Sequence, residues 1–288
     1  MKKLLIVLCC VLALQSCNNG NKGSETVNGF DINWSGNLSK KDQDAVKEMI
    51  SNMVKVEAGT FMMGAQNDSV IYSNYDKNAT SWESPVHEVT LSEFHINKYE
   101  VTQSLWKAIM GKHNDKDDEF DQWEKRFGKG DNYPAYRISF KEVETFIGKL
   151  NECTGLNFAI PTEAQWEYAA RGGKDANYEF IYAGSNVATD VAWIDENSEM
   201  NSEVGKKSPN ALGIYDMSGN VWEMCQDWYY DYTAKPATNP VGEAYNEGLK
   251  TFRGGSWNTN AQSARVTARS KQGIHYRDYN TGFRLVIE

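Results

Sequence analysis

The sequence predicts an α+β domain in which short strands and a few capped helices are joined by much irregular chain. Two observations carry this. From Val54 onward, short segments rich in aromatic and β-branched residues alternate with Gly, Asn, Asp and Pro, the punctuation of strands and turns. Against that background three segments carry both a helix start and a helix stop. The chain also holds nine tryptophans, which suit a domain whose loops are pinned by large aromatic anchors.

The first element is not part of the fold. Met1-Lys2-Lys3 is followed by an apolar run from Leu4 to Leu14 and then Gln15-Ser16-Cys17. A positive start, a short apolar core and a small residue before the break read as a secretory signal over residues 1–16. The run is too short to span a bilayer, which takes about 20 residues. Leu14-Gln15-Ser16-Cys17 resembles the bacterial lipobox, which makes Cys17 a lipidation site and predicts an exported chain held at the membrane by its lipid, on the periplasmic side or the cell surface. A plain secretion signal with an incidental cysteine is the alternative. Residues 17–45 are expected to be the lipidated N-terminus and a flexible tether, because 18–30 are polar and glycine-rich. The folded domain is expected over 46–288.

Ser39 is placed to cap a helix with Val46, Met49, Ile50 and Met53 on one face. Thr102 caps a segment with Leu105, Trp106 and Ile109 inside, closed by Gly111. Ser139 and Glu142 form a capping box ahead of Val143, Phe146, Ile147 and Leu150, ended by Gly155. Thr162 and Gln165 form a second, with Trp166, Ala169 and Ala170 inside. Segments 111–134 and 172–210 are only weakly periodic, and loops of that length are usually functional.

The formal charge is −9, and loss of Lys2 and Lys3 with the signal makes it more negative. That balance argues against nucleic acid, whose phosphates need clustered Lys and Arg. Of five cysteines only Cys153 and Cys225 lie within the domain, able to pair or to act as small buried hydrophobes. No zinc spacing, P-loop or dinucleotide fingerprint occurs. His87 and His95 share parity if one strand runs through both, but a polar strand face explains them better than a metal pair. Glu100, Glu163 and Glu167 are acid–base candidates by type. A structural role is the better reading, since Glu163 lies in the first turn of a helix.

Several separated motifs, taken in order, resemble the formylglycine-generating enzyme, or sulfatase-modifying factor, family. They include Val56-Glu57-Ala58-Gly59-Thr60-Phe61, Pro85-Val86-His87-Glu88-Val89-Thr90, and Tyr99-Glu100-Val101-Thr102. Pro161-Thr162-Glu163-Ala164-Gln165-Trp166-Glu167-Tyr168-Ala169-Ala170-Arg171-Gly172-Gly173 is the most specific. Asp216-Met217-Ser218-Gly219-Asn220-Val221-Trp222-Glu223, Arg253-Gly254-Gly255-Ser256-Trp257 and Gly282-Phe283-Arg284 complete the series.

The resemblance implies a C-type-lectin-like fold with small twisted sheets, about three helices and much irregular loop. It also implies two cysteines that hold copper and perform an oxidation. At matching spacing this chain has Thr259 and Ala264, so copper is not expected: a hydroxyl is a poor copper(I) ligand and a methyl is none. An oxidase using Cys225, Cys153 or other unrecognised residues is the alternative reading. The family's calcium site maps onto the side chains of Asp216 and Glu223 and the carbonyls of Gly219 and Val221, a fitting set of oxygens for calcium. Non-haem iron relatives use an HxxHxE motif that is missing here.

Trp257, Asn258, Asn260 and Arg277 also resemble the ligand-contacting positions of retroelement-diversified binding proteins with the same fold. They are expected to contact a protein or glycan at the cell envelope. Some lipoproteins with this domain look like parts of envelope secretion and gliding machineries.

Overall fold

The computed structural model describes residues 23–70, 74–111, 123–176, 179–243 and 248–288. The signal segment, Cys17 and His113 lie outside the described residues.

In chain order the elements are β1 Ser24–Val27, β2 Phe30–Asn33, α1 Lys40–Ser51, β3 Met53–Val56, β4 Gly59–Met63, β5 His87–Leu91 and β6 Phe94–Asn97. Next come α2 Gln103–Met110, α3 Phe140–Thr154, β7 Phe158–Ala159, α4 Glu163–Arg171 and α5 Ala188–Val191. The chain closes with β8 Trp222–Trp228, β9 Ala237–Thr238, β10 Leu249–Arg253, β11 Arg269–Gly273, β12 Thr281–Gly282 and β13 Val286–Ile287. The strands form four small sheets: the hairpin β1-β2, a four-stranded β3-β6-β13-β7, a three-stranded β4-β5-β9, and a four-stranded β11-β10-β8-β12. The α+β class and the small sheets are as the sequence predicts.

The predicted caps are in place. Thr102 accepts from Leu105 N–H, and the Ser139/Glu142 and Thr162/Gln165 boxes are closed on both sides. Ser39 accepts from Asp42 N–H and starts α1. Helix α5, a single turn within 172–210, carries no side-chain cap, and no signal in the sequence marks it.

The described residues already form structure well before residue 46. The first strand starts at Ser24, Phe30 packs against His95, and Trp34 donates to Glu25 at 2.7 Å. Composition misses this because polar residues dominate the segment while Ile32 and Trp34, two apart in sequence, enter the core. Their burial is worth about 1.5–3 kcal/mol each, enough to hold a short hairpin down.

Two apolar clusters sit under the sheets. One gathers α1, α2 and α3, where Trp106 stacks on Phe146 at 5.2 Å and Phe283 meets both rings edge-on. The other holds α4 against β4 and β5 through Trp166, Tyr168 and Phe61. The C-terminal strand β13 joins β6 to β7, so the last residues close the sheet that begins with β3.

His87 and His95 do not share a strand. The chain breaks after Leu91, β5 and β6 enter different sheets, and His87 packs edge-on against Tyr232 while His95 meets Phe30.

Candidate functional site

The segment that carries the family's cysteine positions follows β10 and begins at Gly254-Gly255, both at positive φ. A Cβ on Gly255 would lie 2.8 Å from the Ser263 carbonyl oxygen, so only glycine lets the two strands of this loop touch. Ser256 and Thr259 then close a tight turn. The Ser256 N–H donates to Thr259 Oγ1 at 2.9 Å, and that hydroxyl donates to the Ser256 carbonyl at 3.0 Å. Ala264 is wholly buried against Ala192 and Ile194. Its carbonyl accepts from the Ser218 hydroxyl at 2.7 Å.

These residues do not fit copper. One side chain is a hydroxyl satisfied within its own turn, and the other is a methyl sealed in the core. Neither remaining cysteine stands in. Cys153 and Cys225 are both free and buried, and burial pushes the first thiol up to about 11 and the second well above the ordinary thiol range. A thiol held protonated is a weak nucleophile and metal ligand.

Beside this loop an aromatic face forms. Phe127 stacks on Tyr279 with ring centroids 3.9 Å apart, and Trp257 leans on Phe127 at 6.2 Å while its indole N–H donates to the Tyr279 carbonyl. Arg126 lies over the Phe127 ring and Arg137 over Tyr279. Amides border the rings: Asn258 Oδ1 accepts from Asn280 Nδ2 at 2.7 Å and from the Ser256 hydroxyl at 2.9 Å. Asn201 Nδ2 donates to the carbonyls of Phe127 and Tyr279 and ties the stack to the loop after α5.

The four expected contact residues divide. Trp257 and Asn258 belong to this face. Asn260 instead caps the short turn Ala261–Ala264, accepting from Ser263 N–H, and Arg277 is ion-paired with Glu142 at 3.0 Å. Tyr279 and Asn280 belong to the same expected binding stretch as Arg277, and Phe127 lies outside it. Phe127 lies in the long aperiodic stretch 111–134, and its ring partners Trp257 and Tyr279 come from the far C-terminal part of the chain.

Buried ion pairs tie α4 to β10 and β11. Glu163 is held by Arg269 and Glu167 by Arg253 and Arg171, all fully or almost fully buried. Burial alone would raise the Glu163 carboxyl, but Arg269 and Arg253 beside it bring it below the ordinary value. Glu163 and Glu167 are therefore structural, as the sequence suggests.

The calcium expectation divides as well. Asp216 is buried with Oδ2 accepting from Gly205 N–H, and its Oδ1 has no hydrogen-bond partner, which fits a cation. Glu223 is placed differently. Arg284 holds both of its oxygens at 2.6 Å, and Trp166 Nε1 donates to one of them at 2.8 Å. A buried guanidinium already supplies the positive charge there. Both Glu223 oxygens are already engaged, so it fits the expected calcium set less well than Asp216. Gly219 has a different duty: a Cβ there would lie 2.3 Å from the Trp193 carbonyl, and the glycine lets two loops cross.

Sequence and structure comparisons agree with this architecture. Residues 39–288 match the sulfatase-modifying factor enzyme 1-like (FGE-sulfatase) domain, and the chain belongs to that family. Among its relatives is the chaperone protein LppX of Paenibacillus barcinonensis, 30% identical over 82% of this chain and 89% of that one. The formylglycine-generating enzyme of Thermomonospora curvata is 26% identical over 84% of this chain and 95% of that one. Treponema denticola variable protein 1 superposes with a TM-score of 0.67 at 25% identity, covering 92% of this chain and 98% of the other.

Proposed function

We propose that this chain is a non-catalytic member of its family that binds or scaffolds a protein or glycan at the cell envelope. It is exported and anchored by lipid at Cys17. The observation that carries the reading is the pair Thr259 and Ala264: one hydroxyl is consumed in a turn and one methyl packed in the core, where the oxidase chemistry needs two reactive sulfurs. What stands next to them is a contact surface. Trp257 stands half-exposed beside the Phe127–Tyr279 stack, Arg126 offers charge at its edge, and Asn258 offers an exposed amide. Rigid rings bordered by amides bind at low entropic cost and serve protein and sugar surfaces alike. A relative that carries the name of a chaperone supports a role built on association.

The test is capture from envelope extract with the mature chain as bait, repeated with Trp257→Ala and Tyr279→Ala. A partner or glycan retained by the parent and lost by both variants is the expected result. A partner retained equally by both variants counts against this face. Metabolic labelling with a fatty acid, lost in Cys17→Ser, tests the anchor.

A further inference from the structure

The polar groups that the Trp257 face turns to solvent are donors. Asn258 is exposed, and its Oδ1 is taken from two sides, by Asn280 Nδ2 at 2.7 Å and by the Ser256 hydroxyl at 2.9 Å. That fixes the amide plane and leaves its NH2 on the other side of the group, open to a ligand. The Arg126 side chain is 66% exposed and lies over the Phe127 ring at 4.6 Å. Its Nε donates to Glu124 Oε2 at 2.7 Å, which orients the guanidinium and leaves the two terminal nitrogens to face outward. The acceptors here are spent within the protein. Glu124 Oε2 holds Arg126, and the Tyr279 carbonyl takes the Trp257 indole N–H and Asn201 Nδ2. Lys125, exposed and next to Arg126 in sequence, adds a second positive charge. The exposed acids Asp195 and Glu196 meet this loop at Thr259, whose carbonyl accepts from Asp195 N–H at 3.1 Å, so an anion is favoured at the Arg126 end.

We propose that the ligand of this face is a glycan bearing carboxylates. One sugar lies on the half-exposed Trp257 ring, its oxygens accept from Asn258 Nδ2, and a carboxylate on the same or the next sugar accepts from the terminal nitrogens of Arg126. The proposal rests on the envelope-binding reading above and narrows it to one ligand class. Planar guanidinium matches carboxylate geometry, and a charge-assisted pair is stronger than a neutral hydrogen bond. Size favours a sugar over a protein. Phe127 and Tyr279 each spend a ring face on the other, so the apolar platform left is the single Trp257 ring. A stable protein partner buries about 800 Å² on each side around an apolar core, whereas one fixed ring with donors at its edge suits a single sugar unit.

The experiment is calorimetric titration of the full mature chain in detergent with oligogalacturonate, with the same oligomer methyl-esterified, and with polyglutamate. Oligogalacturonate is expected to bind, and the ester to bind about tenfold more weakly or worse, because esterification removes the charge and keeps the sugar rings. Polyglutamate has the carboxylates without a sugar face and should give no measurable heat. Arg126→Gln and Asn258→Asp change exposed side chains and should leave the melting temperature unchanged. Each is expected to weaken oligogalacturonate by about tenfold or more, the second because an outward donor becomes a charged acceptor. Equal affinity for acid and ester, polyglutamate binding as tightly as the uronate, or an affinity unmoved by both variants would overturn the proposal. Should no uronate bind while envelope extract still yields a Trp257-dependent protein, the glycan class is wrong and the face stands. Loss of both signals removes the envelope-binding reading itself.

Discussion

Thr259 and Ser256 hold each other from both ends: the serine N–H donates to the threonine hydroxyl, which donates back to the serine carbonyl. The residue at the first cysteine position is thus a turn-forming residue. Thr259→Ala should cost about 1 kcal/mol of stability in urea unfolding. A peptide bearing the sulfatase Cys-x-Pro-x-Arg sequence, supplied with copper, should yield no formyl product with the parent chain. A formyl product made at enzymatic rate and lost on changing Cys225 or Cys153 would reverse the non-catalytic reading.

Ala264 tests the second position. It is packed on Ala192 and Ile194 with no exposed surface, and a Cβ on Gly255 would lie 2.9 Å from its backbone N. Ala264→Cys adds a sulfur to a full space, so a loss of about 1–3 kcal/mol is expected. A stability equal to the parent's would mean that room for the family's sulfur persists.

Arg284 is the counter-charge of a deeply buried acid group. Arg284→Met leaves Glu223 without its partner beside Glu100 and Asp216, and should destabilise by about 3–5 kcal/mol. Adding Glu223→Gln to that variant should restore part of the loss, because the uncompensated charge is then gone. If the double variant is no better than the single, the cost lies in packing and not in charge.

Stability should peak on the acid side of neutral. Burial lifts the Asp216 and Asp227 carboxyls to about 6 from an ordinary 3.8. Between those values the folded chain keeps protons that the unfolded chain has lost. The stability they contribute is therefore full below about 3.8 and lost as pH rises through 6. Glu83 and Glu163 act the opposite way: despite burial, Arg265 holds Glu83 and Arg269 holds Glu163 below the ordinary 4.5. Their stabilisation is present above 4.5 and lost as pH falls through their folded values. An optimum near about pH 5 follows, with a decline of about 1–3 kcal/mol toward about pH 7.5. Asp216→Asn should flatten that decline, since an amide oxygen can still accept from Gly205 N–H and asparagine tolerates the positive φ of this position. A melting temperature that rises steadily to pH 8 would refute the assignment.

Local chemistry was legible. The caps at Ser39, Thr102, Ser139 and Thr162 were readable because a cap joins residues three apart. The hairpin from Ser24 was missed because two buried side chains are outvoted by their polar neighbours when composition is averaged.

The sequence by itself determined the class, the family, and the loss of both sulfurs at Thr259 and Ala264, since these are matters of residue type and spacing along the chain. Tertiary structure alone decided that Glu223 pairs with Arg284, 61 residues away. It also brought Phe127 under Trp257. Charge pairing and ring stacking act through space over a few ångströms, and spacing in sequence does not encode which distant side chains will meet there.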